Sequence, residues 1–284
     1  NSLNGALQLL ADLNLDTEVF SELSWDRLKQ YRAVVLGSFS RCADAKMAAD
    51  LKQFVQNGGM LVMTDGALAT DENNLPADRG LDELVGSTEA ARAELKEPLV
   101  VAAHDLTRGL TSLPSLGHVS LRKPASGTTV LADVPGQGAV VTLRPSGKGR
   151  VLFCGADFGL PYQAGYTEDF AGVTRPTDKQ TMDEQAGFHF DPTRGAEQAL
   201  GLQAHKAWGM LVRDFLAGAG LTPRVQVKQY GEAIGAVKAL SFRSGKDYWI
   251  GLANRLVRPG KDCHRDAPEE YHQVLTGLQV ALAP

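Results

Sequence analysis

The sequence predicts a doubly wound α/β fold, with a mostly parallel sheet extended by antiparallel strands and a small all-β domain behind it. Three stretches carry that prediction. From Tyr31 to Asn74 the chain reads apolar run, amphipathic segment, apolar run. AVVL and MLVMT are unbroken apolar runs, as strands covered on both faces should be, and Met47, Leu51, Phe54 and Val55 recur between them at helical spacing. From Leu99 to Leu143 short β-like runs (LVVAA, HVSL, TTVLAD, AVVTLR) alternate with Gly- and Pro-containing breaks, which reads as antiparallel strands added to the main sheet. After Thr222-Pro223 the runs VQVKQY, AVKALSF, DYWIGLAN and GLQVAL read as strands of a small sandwich.

Taken in order, Leu3, Ala6, Leu7, Leu10 and Leu13 form one helical face, and Asn14 is suited to end that helix in the left-handed conformation. DTEVF (Asp16 to Phe20) reads as a short strand, and Tyr31 to Gly37 as a second. Asn57-Gly58-Gly59 stops the next helix, with a glycine free to take positive φ. Met60 to Thr64 is a buried strand. Ser146-Gly147-Lys148-Gly149 is a turn that returns the chain to the strand Arg150 to Gly155. The segment 156–195 is long and irregular, which in a compact domain calls for a function or a tether. Ala204, Ala207, Trp208, Leu211, Val212 and Phe215 form a strong helical face closed by Gly218-Ala219-Gly220. Ser244-Gly245-Lys246-Asp247 is a hairpin turn, and Trp249 alternates as a residue packed inside the sandwich. The expected domains are 1–223 and 224–284. Because a doubly wound sheet starts on a strand and this chain starts on a helix without an initial Met, upstream sequence is expected to be missing.

Composition bounds the function. A hydrophobic share of 43% and a charged share of 22% are those of a globular protein. The net charge of -4, with no Lys/Arg stripe, argues against a nucleic-acid partner. No apolar run approaches the roughly 20 residues of a membrane helix. The compartment is not fixed by these features, with the cytoplasm slightly favoured. Cys42, Cys154 and Cys263 are scattered and suggest neither a disulfide framework nor a zinc site. His264 and His272 flank DAPEE beside Cys263, but their spacing does not fit a closed four-ligand centre, and a solvated loop is the simpler reading. SGKGR and RSGKDY lack the phosphate-loop pattern. No metal or cofactor is expected.

The pattern VVLGS, helix, FVQNGGMLVMTDGALATDENN resembles the middle, trimerisation domain of family 42 β-galactosidases, a domain of the flavodoxin-like, class I glutamine amidotransferase-like kind. LLADLNLDTEVFSE resembles its entry, GKGRVLFCGADFG its returning strand and AGLTPRV its exit, so the likeness runs in order over about 1–223. The resemblance implies a parent glycoside hydrolase whose two catalytic glutamates lie on an upstream barrel, outside this sequence. It also implies a homo-oligomer, a trimer, with galactosides or oligosaccharides as the ligands of the parent. Glu97-Pro98 follows Lys96 and carries no catalytic pattern.

Candidate residues follow from position. Ligands of open α/β sheets sit beyond the C-terminal ends of the strands. Asp65 and Asp157 both lie just past such ends and would face one crevice if their strands are neighbours; the competing reading is loop capping, for which Asp is well suited. Thr64 and Asp65 have no base nearby in sequence, and Cys42 in SRCAD lacks the small residues of a nucleophile elbow, so an amidotransferase site is not expected. Tyr162, Tyr166 and His189 in the 156–195 segment form either a sugar- or subunit-contacting surface or a tether to the core. The expected function is therefore non-catalytic assembly within a glycoside-hydrolase-like protein, in a place that borders a sugar site. The alternatives are a free-standing hydrolase at the Asp65/Asp157 crevice and a carbohydrate-binding module.

Overall fold

The computed structural model describes residues 2–20, 24–38, 40, 44–71, 73–76, 81–95, 97–115, 117–159, 162, 173–174, 189–190, 207–229, 232–233, 237–244, 247–254 and 278–282. One end of its nine-stranded main sheet is three adjacent parallel strands, β1 (Ala33–Leu36), β2 (Met60–Thr64) and β9 (Gly149–Cys154), in the order β1-β2-β9. Every residue of β2 is buried, which is why its sequence is an unbroken apolar run. Its side chains alternate between two cores. Met60 and Val62 join Leu152 and Cys154 of β9 on one face. There they meet Ala6, Leu9 and Leu10 of α1 (Ser2–Asp12) and Trp208, Leu211 and Phe215 of the helix α5 (207–217). On the other face Leu61 and Met63 join Val34, Leu36, Val151 and Phe153. These pack on Leu28 of α2 (Trp25–Leu28), Leu51, Phe54 and Val55 of α3 (Ala45–Gln56), and Leu84 and Val85 of α4 (Leu81–Val85). Helix, sheet, helix is thus a three-layer α/β arrangement.

The helix ends follow local chemistry. The Asp44 side chain caps α3 by accepting the Met47 N–H at 2.6 Å. Asn14 closes the first helix at φ 52, and Gly58 takes φ 112 after α3, both as the sequence reading has it. Gly59 leaves no room for a side chain: a Cβ there would lie 2.3 Å from the Phe54 ring.

The remaining strands of the main sheet are antiparallel. They are β3 (Ser87–Glu94), β4 (Leu99–Val101), β5 (Ser112–Leu113), β6 (His118–Pro124), β7 (Thr129–Val134) and β8 (Gly138–Ser146). The added antiparallel strands are where the 99–143 pattern puts them. They outnumber the parallel ones, so the sheet is mixed rather than mostly parallel: among the described residues only β1, β2 and β9 pair in parallel. Three further differences stand out. Asp16 to Phe20 forms no strand; Val19 is exposed, and Glu18 and Phe20 instead engage Arg27 and Tyr31. β3 was not predicted, because STEAARAE is mostly exposed and shows no apolar alternation. Within 156–195 the structure places two short paired strands, β10 (Val173–Thr174) and β11 (His189–Phe190).

Beyond α5 and the turn 218–220, where Gly220 takes φ 70, two small antiparallel sheets follow. One comprises β12 (Val225–Gln229), β13 (Glu232–Ala233) and β16 (Leu278–Leu282); the other is the hairpin of β14 (Val237–Ser244) and β15 (Asp247–Asn254). Val225, Val227, Val237 and Ala239 form their shared core. The Asn14 side chain accepts the Ala239 N–H at 2.9 Å and so joins the helix cap to this unit. Trp249 is not packed inside as expected. It is 67% exposed, because its strand position points away from the face that holds Val237 and Ala239. Among the described residues no helix is long and apolar enough to cross a membrane.

Candidate functional site

The parallel strands deliver one polar residue each to the same end of the sheet: Ser38 after β1, Asp65 after β2 and Asp157 after β9. Since β2 and β9 are adjacent in register up to Thr64 and Cys154, the two aspartates leave neighbouring strand ends. The Asp65 N–H donates to the Cys154 carbonyl at 2.9 Å, extending that pairing by one residue. Ser38 reaches across the end of β2 and donates to Asp157 Oδ2 at 2.7 Å. Asp157 Oδ1 accepts the Gly159 N–H at 2.9 Å, an Asx-type cap of the turn. Gly159 is in turn packed on the first helix, where a Cβ on Gly5 would lie 1.7 Å from its carbonyl oxygen.

Asp65 is held by a residue the sequence reading passed over. Arg92 of β3 clamps its carboxylate with Nη1 to Oδ2 at 2.9 Å and Nη2 to Oδ1 at 3.1 Å, the bidentate geometry of strong guanidinium–carboxylate pairs. The same guanidinium bonds Glu89 through Nε at 3.1 Å, and Glu89 accepts from Ser120 Oγ at 3.1 Å. A β-bulge explains how two residues three apart reach one face. The register between β3 and β6 shifts between Glu89 and Ala91, so Glu89 and Arg92 stand on the same side of the strand. The β3–β6 ribbon is also stitched to the end of β9: Ser120 N–H donates to Gly155 O at 2.7 Å and Gly155 N–H to Val140 O at 2.6 Å. Only glycine fits at that crossing, since a Cβ on Gly155 would lie 2.3 Å from Ser120 O. The ribbon therefore lies over the strand ends.

The electrostatics match the burial. Desolvation pushes the Asp65 carboxyl above its ordinary value, with Arg92 pulling the other way. For Glu89 burial acts upward, but the hydrogen bond and charge of Arg92 outweigh it and the carboxyl lies low. Glu89 is also the main reason the Arg92 guanidinium is held more basic than usual. Burial raises the Cys154 thiol far out of the reactive range, so this cysteine is a packing residue.

The loop after β2 closes on itself. Gly66 takes φ 80, and Leu68, fully buried, takes φ 56 while its N–H donates to Ser40 O at 2.7 Å. Asp71 accepts the N–H groups of Asn73 and Leu75, both at 2.9 Å. The Thr64 hydroxyl is buried with no hydrogen-bond partner among the described residues. Tyr162 lies in the core against α5 and donates its hydroxyl to Asp12 at 2.7 Å, the tethering geometry. His189 pairs with Thr174 through β11, and Tyr166, like Cys42, Cys263, His264 and His272, lies outside the described residues. Among the described residues no three His, Cys, Asp or Glu side chains converge as a metal site. The structure thus brings Asp65 and Asp157 to one edge and adds Ser38, Glu89, Arg92 and Ser120. No sequence motif flags the last four; for Glu89 and Arg92 the trace is three charges within an otherwise small-residue run.

No family model matches this chain, and no curated protein matches it. Solved structures do. A β-galactosidase from Bacillus circulans sp. alkalophilus superposes with a TM-score of 0.60 at 14% identity, over 100% of this chain and 36% of that one. The GH42 β-galactosidase Gan42B from G. stearothermophilus gives 0.57 at 16% identity, over 88% and 30%. A β-galactosidase from Rahnella sp. R3 gives 0.58 at 15% identity, over 89% and 31%. The chain spans about a third of the length of these proteins, and at such identities the likeness is one of fold.

Proposed function

We propose that this chain is a non-catalytic module of a glycoside-hydrolase-related protein, serving assembly through a trimerisation-type α/β domain and an appended β domain. The observation that carries the reading is the state of the strand-end carboxylates. Position makes Asp65 and Asp157 the natural catalytic or ligand groups of such a sheet, yet both are engaged within the chain, Asp65 by Arg92 and Asp157 by Ser38 and Gly159. A general acid or base must reach its substrate proton at hydrogen-bond distance. A carboxylate in a bidentate clamp beneath a β-ribbon is arranged for structure instead. The fold likeness to segments of β-galactosidases supports the parentage, and the parallel strands with helices on both faces agree with an amidotransferase-like core that has lost its chemistry.

Assembly is tested by sedimentation velocity across a hundredfold range of concentration. Self-association is the expected result. A single monomeric species throughout would contradict it.

A further inference from the structure

The parallel strands have a second end, away from Asp65 and Asp157. At the starts of β1 and β2 the structure holds an open cleft of about 400 Å³. Trp25 and Lys29 at the two ends of α2, Tyr31 and Arg32 at the entry to β1, and Asn57 at the end of α3 line it. The Met60 N–H donates to Arg32 O at 2.9 Å, which sets the turn after α3 beside Arg32. That turn adds Gly58 and Gly59 to the lining and no side chain. A volume at the low end of the roughly 300–1,000 Å³ of small-ligand sites suits one ring rather than a chain of them.

The two aromatic residues are held from behind. Tyr31 donates its hydroxyl to Glu18, and its ring lies against Phe20 with 5.5 Å between centroids. The Trp25 backbone N–H donates to Oδ2 of the buried Asp50 at 3.1 Å, and Lys46 Nζ holds the same oxygen at 2.6 Å. Such support keeps a lining in place before a ligand arrives. Both charged side chains in the described lining are cations. Lys29 is already paired with Asp26 at 2.6 Å. Arg32 meets a neutral acceptor, Gly220 O, at 3.2 Å through Nη1. Its guanidinium is therefore the charge the cleft offers.

We propose that this cleft binds one sugar ring bearing a carboxylate, a uronate. Half-buried aromatic side chains suit the C–H face of a pyranose while leaving a polar edge wet. The planar fork of Arg32 matches a carboxylate, and the Asn57 amide can both donate to and accept from ring hydroxyls. The choice of a sugar among anionic rings rests on the glycoside-hydrolase parentage proposed above. The site itself is independent of assembly.

The test is isothermal titration calorimetry on the full 284-residue chain with sodium galacturonate, with galactose as the neutral counterpart and acetate as the bare carboxylate. Arg32→Gln and Trp25→Ala are titrated beside the wild type, with far-UV circular dichroism as the folding control. Arg32 is exposed, so Arg32→Gln keeps the fold even where Trp25→Ala does not. Wild type is expected to bind galacturonate saturably, and Arg32→Gln to weaken it about tenfold or more, the usual loss for a hydrogen bond to a charged group. Galactose is expected to bind weaker by a similar factor. No saturable heat from galacturonate overturns the site and leaves the assembly reading to its own sedimentation test. Binding that Arg32→Gln leaves unchanged, or galactose binding as tightly, overturns the carboxylate contact. Acetate that displaces galacturonate at equal concentration overturns the sugar class.

Discussion

β3 and β15 are both eight-residue strands that, among the described residues, pair with a single neighbour, and they treat that position in opposite ways. β3 carries Glu89, Arg92 and Glu94 and a bulge, and it turns two of those charges inward onto the strand ends of the main sheet. β15 runs straight, uncharged from Tyr248 to Ala253, and holds its tryptophan in solvent. The difference teaches that one edge position can be finished with charges turned onto the chain itself and another left apolar. Around β3 the strand-end carboxylate Asp65 is engaged within the chain. On β15 Trp249 and Leu252 stay open to solvent.

The largest expected effects come from breaking the closed side. Trp208 is fully buried, donates to Pro114 O at 2.8 Å and packs at a tilt against Phe158, so Trp208→Ala should cost about 3–5 kcal/mol in urea denaturation. Trp249→Ala should stay within about 0.5 kcal/mol, as exposed sites do. Gly155→Ala forces a Cβ into two carbonyl oxygens at the seam between β9 and the ribbon. It should cost about 2–3 kcal/mol by the same measurement.

A smaller effect is expected at the clamp. Arg92→Ala leaves the Asp65 carboxylate buried without its partner, but Arg92 is half exposed and solvent screens the pair, so about 1 kcal/mol at neutral pH is expected. That cost should shrink on acidification, because a protonated Asp65 no longer needs a counter-charge. The smallest effect is the pH dependence of Asp65 itself. Its folded pKa is raised by burial, so relative to Asp65→Asn the wild type holds its full extra stability below the unfolded value near 3.8 and loses it as pH rises through the folded value. Paired urea titrations of the two proteins between acid and neutral pH measure this; a difference that grew with pH would contradict the burial account.

Much of the architecture was legible because buried strands and amphipathic helices leave periodic traces. AVVL, MLVMT and RVLFCG are apolar because two cores demand it, and Asn14 and Gly58 mark helix ends through their backbone freedom. The strand Ser87–Glu94 was illegible for the converse reason: an exposed edge with a bulge keeps no alternation. DTEVF looks like a strand but has no sheet neighbour among the described residues. The alignment of Asp65 and Asp157 was foreseeable from their strand-end positions. Their partners were not, since Ser38 is 119 residues from Asp157 and Arg92 is 27 from Asp65, and only the folded register sets them together.

The central claim is that the strand-end carboxylates are structural. The most direct measurement is the hydrolysis of chromogenic β-galactosides and related aryl glycosides by the purified chain, side by side with Asp65→Asn and Asp157→Asn. All three proteins are predicted to give the buffer rate. Turnover by the wild type that either substitution abolishes would contradict the account.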